Sequence, residues 1–164
     1  MIFTFIMGSL LYSNFKGAPW VKSPKKSIDE IIKIIQLPNN ARIIELGCGT
    51  GEVLRTLCRD PKTIGVGVDI NPFLIFLARI QNRLKNSTTI TFKVGNVYEC
   101  NISSANVIYV FLMPKMLQKL VPKFEKELKK GTLIISLGFK IPGWDIHLFK
   151  TKTVRPYPIY QYKV

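Results

Sequence analysis

Between residues 42 and 137 the chain alternates short apolar runs with segments of helical periodicity, and the links between them are only a few residues long. This alternation constrains the fold more than any other feature. Strands separated by helices run parallel, and a parallel sheet needs helices on its faces. Strands are expected at residues 42–46, 64–69, 89–94, 106–112 and 132–137. Ser23-Pro24 reads as a hydroxyl cap followed by proline opening a first helix, whose buried face is Ile28, Ile31, Ile32 and Ile35. A second helix is expected at residues 52–58. Asn71-Pro72 opens a third, with Phe73, Phe76, Leu77, Ile80 and Leu84 as its buried face. The run Met113, Met116, Leu117, Leu120, Val121 and Phe124 has helical spacing, and Pro122 is expected to kink or split that helix. Residues 148–154 and 159–164, about Arg155-Pro156-Tyr157-Pro158, read as a closing antiparallel hairpin. The fold class is therefore α/β, a doubly wound sheet that is mostly parallel. Ligands of such sheets bind beyond the carboxyl ends of the strands, so functional residues are sought just after each strand.

Composition removes several alternatives. A length of 164 residues suits one domain, and 47% hydrophobic residues suffice to bury a core. Three scattered cysteines and one histidine, His147, give neither a disulfide framework nor a metal-ligand set, so no metal is expected. The net charge is +14, carried by 18 Lys and six Arg. Base composition of the coding DNA explains such a surplus as readily as a partner does. Read functionally, excess Lys over Arg suits diffuse attraction to an anionic membrane surface or acidic protein better than base readout, which makes nucleic acid the less expected partner.

Residues 1–15 carry no charged side chain. As a helix they would span about 22 Å, short of the ~30 Å hydrocarbon core. They lack the basic start of a secretory signal, and positive residues follow them: Lys16, Lys22, Lys25 and Lys26. Two readings remain open, a membrane-proximal tether and a helix packed on the domain. A tether would leave the domain on the cytoplasmic side. The expected organisation is an apolar segment over 1–17 and a single domain over 18–164.

The strongest chemical signal is Glu45-Leu46-Gly47-Cys48-Gly49-Thr50-Gly51, where the first strand ends and a helix begins. Glycines there permit a tight turn and close approach of the backbone to a ligand. A dinucleotide loop would place its third glycine at position 52, which is Glu52; here it comes one residue early and an acid precedes the first. Such a loop suits an amino acid joined to a nucleoside better than a pyrophosphate, with Glu45 near the ammonium group. Asp69 ends the second strand and is placed to accept from both ribose hydroxyls; a helix-capping role fits it less well, because Asn71 offers that cap. Asn96 after the third strand could pair with adenine while Val97 supplies backbone contact, or Asn96 is an ordinary turn residue. Three loops thus converge on S-adenosyl-L-methionine.

Residues 43–54, 65–79 and 92–99 resemble the core of class I S-adenosylmethionine-dependent methyltransferases. A fuller pattern is similar to one lysine methyltransferase family. It is carried by Ala18-Pro19-Trp20-Val21-Lys22-Ser23-Pro24, Phe111-Leu112-Met113, Leu120-Val121-Pro122-Lys123-Phe124 and Phe139-Lys140-Ile141-Pro142-Gly143-Trp144. That family includes the enzymes modifying ATP synthase subunit c and the adenine nucleotide translocase, with broad-specificity archaeal relatives. Lys22 stands where the family favours proline. The resemblance implies a Rossmann-like seven-stranded methyltransferase sheet and transfer of a methyl group to a lysine of a protein, which in this family can be a membrane protein. It also implies that Trp20 and Ser23 help close over the cofactor, and that cofactor contacts extend to Cys48, Ile70 and Phe111. Phe111, Leu112, Phe139 and Trp144 are the candidate walls of an acceptor channel. Cysteine usage and the charge asymmetry together make the expected location cytoplasmic, with membrane association on that face through the N-terminal segment as one of the two open readings.

Several acceptor chemistries lack their residues. The fourth strand leads into Phe111-Leu112-Met113-Pro114, which has neither the Asn/Asp-Pro-Pro motif that grips a nucleobase amine nor a Pro-Cys nucleophile. No Asp or Glu lies between Asn101 and Phe124, so a double-glutamate clamp for arginine is missing. The alternatives are a methyltransferase of small molecules or RNA, and a nucleotide-binding module or nicotinamide-dependent oxidoreductase.

Overall fold

The computed structural model describes residues 21–164. Trp20 and the uncharged segment over residues 1–15 lie outside the described residues. Helix α1 (Lys25–Ile34) leads into β1 (Arg42–Leu46), α2 (Glu52–Leu57), β2 (Ile64–Asp69), α3 (Pro72–Leu84) and β3 (Ile90–Val94). Then follow β4 (Val107–Val110), α4 (Pro114–Glu127), β5 (Leu133–Leu137), a single 3-10 turn (Asp145–His147), β6 (Leu148–Lys152) and β7 (Ile159–Lys163). The sheet order is β3-β2-β1-β4-β5-β7-β6. Strands β1 to β5 pair in parallel. β7 runs antiparallel to β5, and β6 antiparallel to β7. The expected closing hairpin is therefore present, and the chain reverses its winding between β1 and β4, where a doubly wound sheet opens its ligand crevice.

Alternate side chains of each central strand enter two apolar layers. Ile43, Phe92, Tyr109 and Ile135 face α1, α2 and α3 through Ile28, Ile31, Leu54, Ile75 and Ala78. Ile44, Leu46, Ile108, Val110 and Ile134 face α4 through Leu117, Leu120 and Phe124. Burial on both faces explains why these strands read as continuous apolar runs.

Four local expectations are corrected. Helix α3 buries Leu74, Ile75, Ala78 and Asn82, whereas Phe76 and Leu84 are 57% and 79% exposed. Its rotation is set by hydrogen bonds: Arg79 Nε and Nη2 donate to the Phe92 carbonyl, and Asn82 Nδ2 donates to the Ser87 and Ile90 carbonyls. Small Ala78 then lies against the sheet, and the larger apolar ridge is left outside. Pro122 does not split α4, which is continuous over Pro114–Glu127; the residue is exposed, so water can serve the carbonyl its missing N–H leaves free. Ser23 does not cap α1. Pro24 holds the cap position without a side-chain bond, and Ile32 is exposed rather than buried.

Among the described residues no helix is long and apolar enough to cross a membrane, and no cluster of three or more His, Cys, Asp or Glu could hold a metal ion.

Candidate active site

The loop after β1 needs its glycines. Gly47 has φ +78°, and a Cβ there would come within 2.9 Å of Leu112 Cδ2; Gly51 has φ +74°, and a Cβ there would strike the Phe92 ring. Side chains at these positions would be strained and crowded at once. The amides of Gly47 and Cys48 donate to the Val68 carbonyl at 2.8 and 3.0 Å. Gly49 N donates to Asp69 Oδ2 at 2.8 Å, and Asp69 Oδ1 accepts from Asn71 N at 2.9 Å. Asp69 thus holds the glycine loop to the end of β2, while Asn71 caps α3 by accepting from Phe73 N and Leu74 N. Gly95 N in turn donates to the Asp69 carbonyl at 2.9 Å, which brings the loop after β3 to the same point.

Two buried acidic side chains stand here, and among the described residues no cation is bonded to either. Glu45 is buried and accepts from Leu54 N at 3.0 Å; burial raises its pKa from 4.5 to about 8, and nearby Asp69 adds to the rise. Burial also raises the pKa of Asp69, against the backbone donors that lower it. The Cys48 thiol is pushed well up by burial, which makes it a packing residue rather than a nucleophile. A ligand bearing an ammonium group and hydroxyls would supply what these carboxylates lack.

The entry segment meets the loop at a cleft. Val21, Lys22 and Ser23 line this cleft together with Glu45, Gly47 and Phe111. Ser23 Oγ lies 2.9 Å from Tyr109 Oη on β4, and Lys22 Nζ pairs with Glu52 Oε2 at 2.8 Å. Ser23 thus lines the cleft and is tied to Tyr109, a residue of the fourth strand that the sequence did not single out.

Other residues fall less neatly. Asn96 closes its own turn: Nδ2 donates to Glu99 Oε1 at 2.7 Å and Oδ1 accepts from Tyr98 N at 3.1 Å. Val97 is buried in the layer facing α4, and Ile70 is half-buried beside Asp69. Leu112 is buried and supports Gly47 from behind. Phe111 is half-buried on the cleft, whereas Phe139 packs on the α4 side of the sheet. Trp144 is a correction. It is 1% exposed, with ring centroids 5.6 Å from Phe124 and 5.8 Å from Tyr162, so it fills the core beneath α4 and walls no channel. His147 meets the carbonyl of Lys163, which is paired with Leu133 at the start of β5, so it lies at the opposite end of the sheet from the cleft. Two residues were not anticipated. Tyr109 was the one hydroxyl in an apolar strand, and Tyr157 stood between two prolines in a hairpin turn; the ring of Tyr157 lies 5.0 Å from that of Phe111.

The ANTKMT methyltransferase domain model matches residues 45–147, a span that begins at Glu45 and takes in the glycine loop, Asp69 and both central crossovers. The chain belongs to that family. It is 34% identical over 132 residues to a protein-lysine N-methyltransferase of Saccharolobus islandicus, covering 77% of this chain and 80% of that protein. It is 24% identical over 128 residues to the adenine nucleotide translocase lysine N-methyltransferase of Mus musculus, covering 77% of this chain and 56% of that enzyme. The chain thus spans little more than half the length of the mouse relative. Among solved structures, an RNA methyltransferase from Salinibacter ruber in complex with S-adenosyl-L-homocysteine superposes with a TM-score of 0.81 at 26% identity, covering 88% of this chain and 94% of that one. The domain is an S-adenosyl-L-methionine-dependent methyltransferase, with the Rossmann-like sheet of that class. Its residues fit the cofactor in their chemistry: a glycine turn held to the end of β2 stands beside two buried acidic side chains, and among the described residues neither forms an ion pair.

Proposed function

We propose that this domain transfers a methyl group from S-adenosyl-L-methionine to the side-chain amine of a lysine in a protein acceptor. The observation that carries this reading is the 34% identity to the archaeal protein-lysine N-methyltransferase over 80% of that protein's length. The cofactor, when bound, supplies an electrophilic methyl on a sulfonium; the protein's part is binding, orientation and exclusion of water. Glu45 and the glycine loop from Gly47 to Gly51 would hold the amino-acid end. Asp69 would hold the ribose and Asn96 with Val97 the adenine, in which case the Asn96 amide exchanges its local partners. Trp20, Cys48 and Ile70 would complete the enclosure.

In-line displacement depends on alignment, which can supply roughly 7–11 kcal/mol of the barrier. It also needs the acceptor amine without its proton. A half-buried aromatic wall disfavours the ammonium form by desolvation, and Phe111 at the end of β4 offers one. From Asn101 to Phe124 the chain has no carboxylate to hold a cationic acceptor, which suits a neutral amine. Incubation with methyl-labelled cofactor followed by mass spectrometry of acceptor proteins tests the reading: label on lysine Nζ supports it, and label on nucleic acid alone overturns it.

One observation favours a second reading, transfer to RNA, since the Salinibacter ruber structure is described as an RNA methyltransferase. Nuclease sensitivity of the labelled product would decide for it.

The finer partner is a membrane-embedded acceptor reached at an anionic, cytoplasmic surface. Its support is the +14 charge, the uncharged first fifteen residues and the outward ridge Phe76, Ile80 and Leu84 on α3, flanked by Arg79, Arg83 and Lys85. An apolar helix ridge bordered by cations is the pattern of an interfacial helix.

A further inference from the structure

The two halves of the sheet carry different chemistry at their carboxyl ends. β1, β2 and β3 present the glycine loop, Asp69 and Asn96, the groups assigned to the cofactor. β4, β5 and β7 are adjacent in the sheet, and their ends present Phe111, Gly138 and Tyr157. Tyr157 lies in the connection from β6 to β7, far in sequence from the other two. Gly138 N donates to the Pro158 carbonyl at 2.8 Å, and this bond draws the connection onto the end of β5.

There the two rings converge. The Phe111 and Tyr157 centroids are 5.0 Å apart with planes inclined at 58°. Gly138, with φ +82°, lies at the foot of both: a Cβ there would come 3.0 Å from Phe111 Cε2 and 3.5 Å from Tyr157 Cδ1. The floor is therefore backbone and the walls are aromatic. Phe111 also lines the cleft assigned to the cofactor, as Ser23 does, so this aromatic pair adjoins the place where methyl transfer must occur. Tyr157 is half-buried, and with Phe111 it packs at the border of the apolar layer that faces α1.

We propose that Tyr157 is a specificity-determining residue of the acceptor site, forming with Phe111 the wall along which an unbranched alkylamine reaches the methyl donor. The inference rests on the protein-lysine reading and adds the residue that selects the acceptor. A flat, weakly polar ring suits the methylene stem of lysine, and a second aromatic wall beside Phe111 adds to the desolvation that favours the neutral amine. Tyr157 is not in the cofactor cleft, so its removal acts on the acceptor and leaves cofactor affinity unchanged.

The test compares wild type, Tyr157→Ala and Tyr157→Phe. Cofactor affinity is read by calorimetry with S-adenosyl-L-homocysteine, and initial rates of label transfer are read against rising concentrations of lysate protein. Tyr157→Ala is expected to raise the half-saturating protein concentration at least ~10-fold, with the calorimetric Kd within about twofold of wild type; Tyr157→Phe is expected to stay close to wild type in both. An unchanged half-saturating concentration in Tyr157→Ala, or a Kd that rises in parallel with it, overturns the assignment. Tyr157→Leu preserves bulk and covers the case in which the alanine variant does not fold; it too is expected to raise the half-saturating concentration. If wild type itself labels only nucleic acid or small molecules, the lysine reading fails and the Tyr157 assignment falls with it. If wild type labels protein lysine and the variants saturate as it does, Tyr157 alone is rejected.

Discussion

Ser23 Oγ and Tyr109 Oη lie 2.9 Å apart, joining residues 86 positions apart in the chain and fastening the entry segment to the strand beneath the cleft. Tyr109 is fully buried, and burial pushes its phenol pKa well up, so the hydroxyl is a neutral partner with no water to fall back on. Ser23→Ala leaves that hydroxyl unsatisfied and is expected to cost roughly 1–3 kcal/mol of stability. Tyr109→Phe removes the hydroxyl itself, leaves only Ser23 at the cleft edge, and should cost less. Thermal denaturation of both variants checks the order. Equal losses would mean that this bond does not anchor the segment.

Glu45 yields a prediction with opposite signs for stability and binding. Its native pKa, about 8, exceeds its ordinary value of 4.5, so the folded state holds this proton more tightly than the unfolded state. The resulting stability is complete below about pH 4.5 and is lost as pH rises through about 8. Glu45→Gln removes the dependence. Without cofactor the variant should melt above wild type near pH 8, with the gap closing toward pH 5. Cofactor binding should weaken about 10-fold or more, because Glu45, once ionised against the ammonium group, is a charged hydrogen-bond partner that glutamine does not replace. Melting curves across this range and calorimetry at one pH separate the two effects.

Gly51 tests the cradle. Gly51→Ala places a methyl against the Phe92 ring at φ +74° and is expected to destabilise by at least ~1–3 kcal/mol while weakening cofactor binding. Combining it with Phe92→Ala relieves the clash but not the backbone strain. Partial recovery of cofactor affinity in the double variant, measured by calorimetry, is the expected outcome.

These residues differ in how far the sequence announced them. The strand-helix order, the glycine turn and Asp69 were legible because each rests on local chemistry: two-sided burial, positive φ and an acid at a strand end. The buried face of α3 was not. The helix carries two apolar ridges, and the choice between them depends on Arg79 and Asn82 reaching carbonyls near β3. Trp144 was taken for a channel wall, because nothing near it in the chain reveals that Phe124 and Tyr162 close around it. Tyr157 was invisible for a related reason. Only the insertion of β7 beside β5 carries the hairpin turn back to Phe111.

The exposed ridge of α3 makes the membrane reading testable without activity. Phe76→Ser with Ile80→Ser and Leu84→Ser should reduce co-sedimentation with anionic phosphatidylglycerol vesicles several-fold while leaving the melting temperature unchanged or higher. Neutralising Lys115, Lys119 and Lys126 on α4, across the sheet, should have the smaller effect. A fall in melting temperature on removing the ridge would instead mean that the chain itself covers it.

The central claim is that one cradle, built from Glu45, the glycine turn and Asp69, presents a methyl donor to a protein amine. Its most direct test is mass spectrometry of a membrane-containing lysate incubated with trideuteromethyl cofactor and either wild type or Asp69→Ala. The account predicts deuterated methyl groups on lysine Nζ with wild type and none above background with Asp69→Ala. Label confined to nucleic acid, or equal lysine labelling by the two proteins, would contradict it.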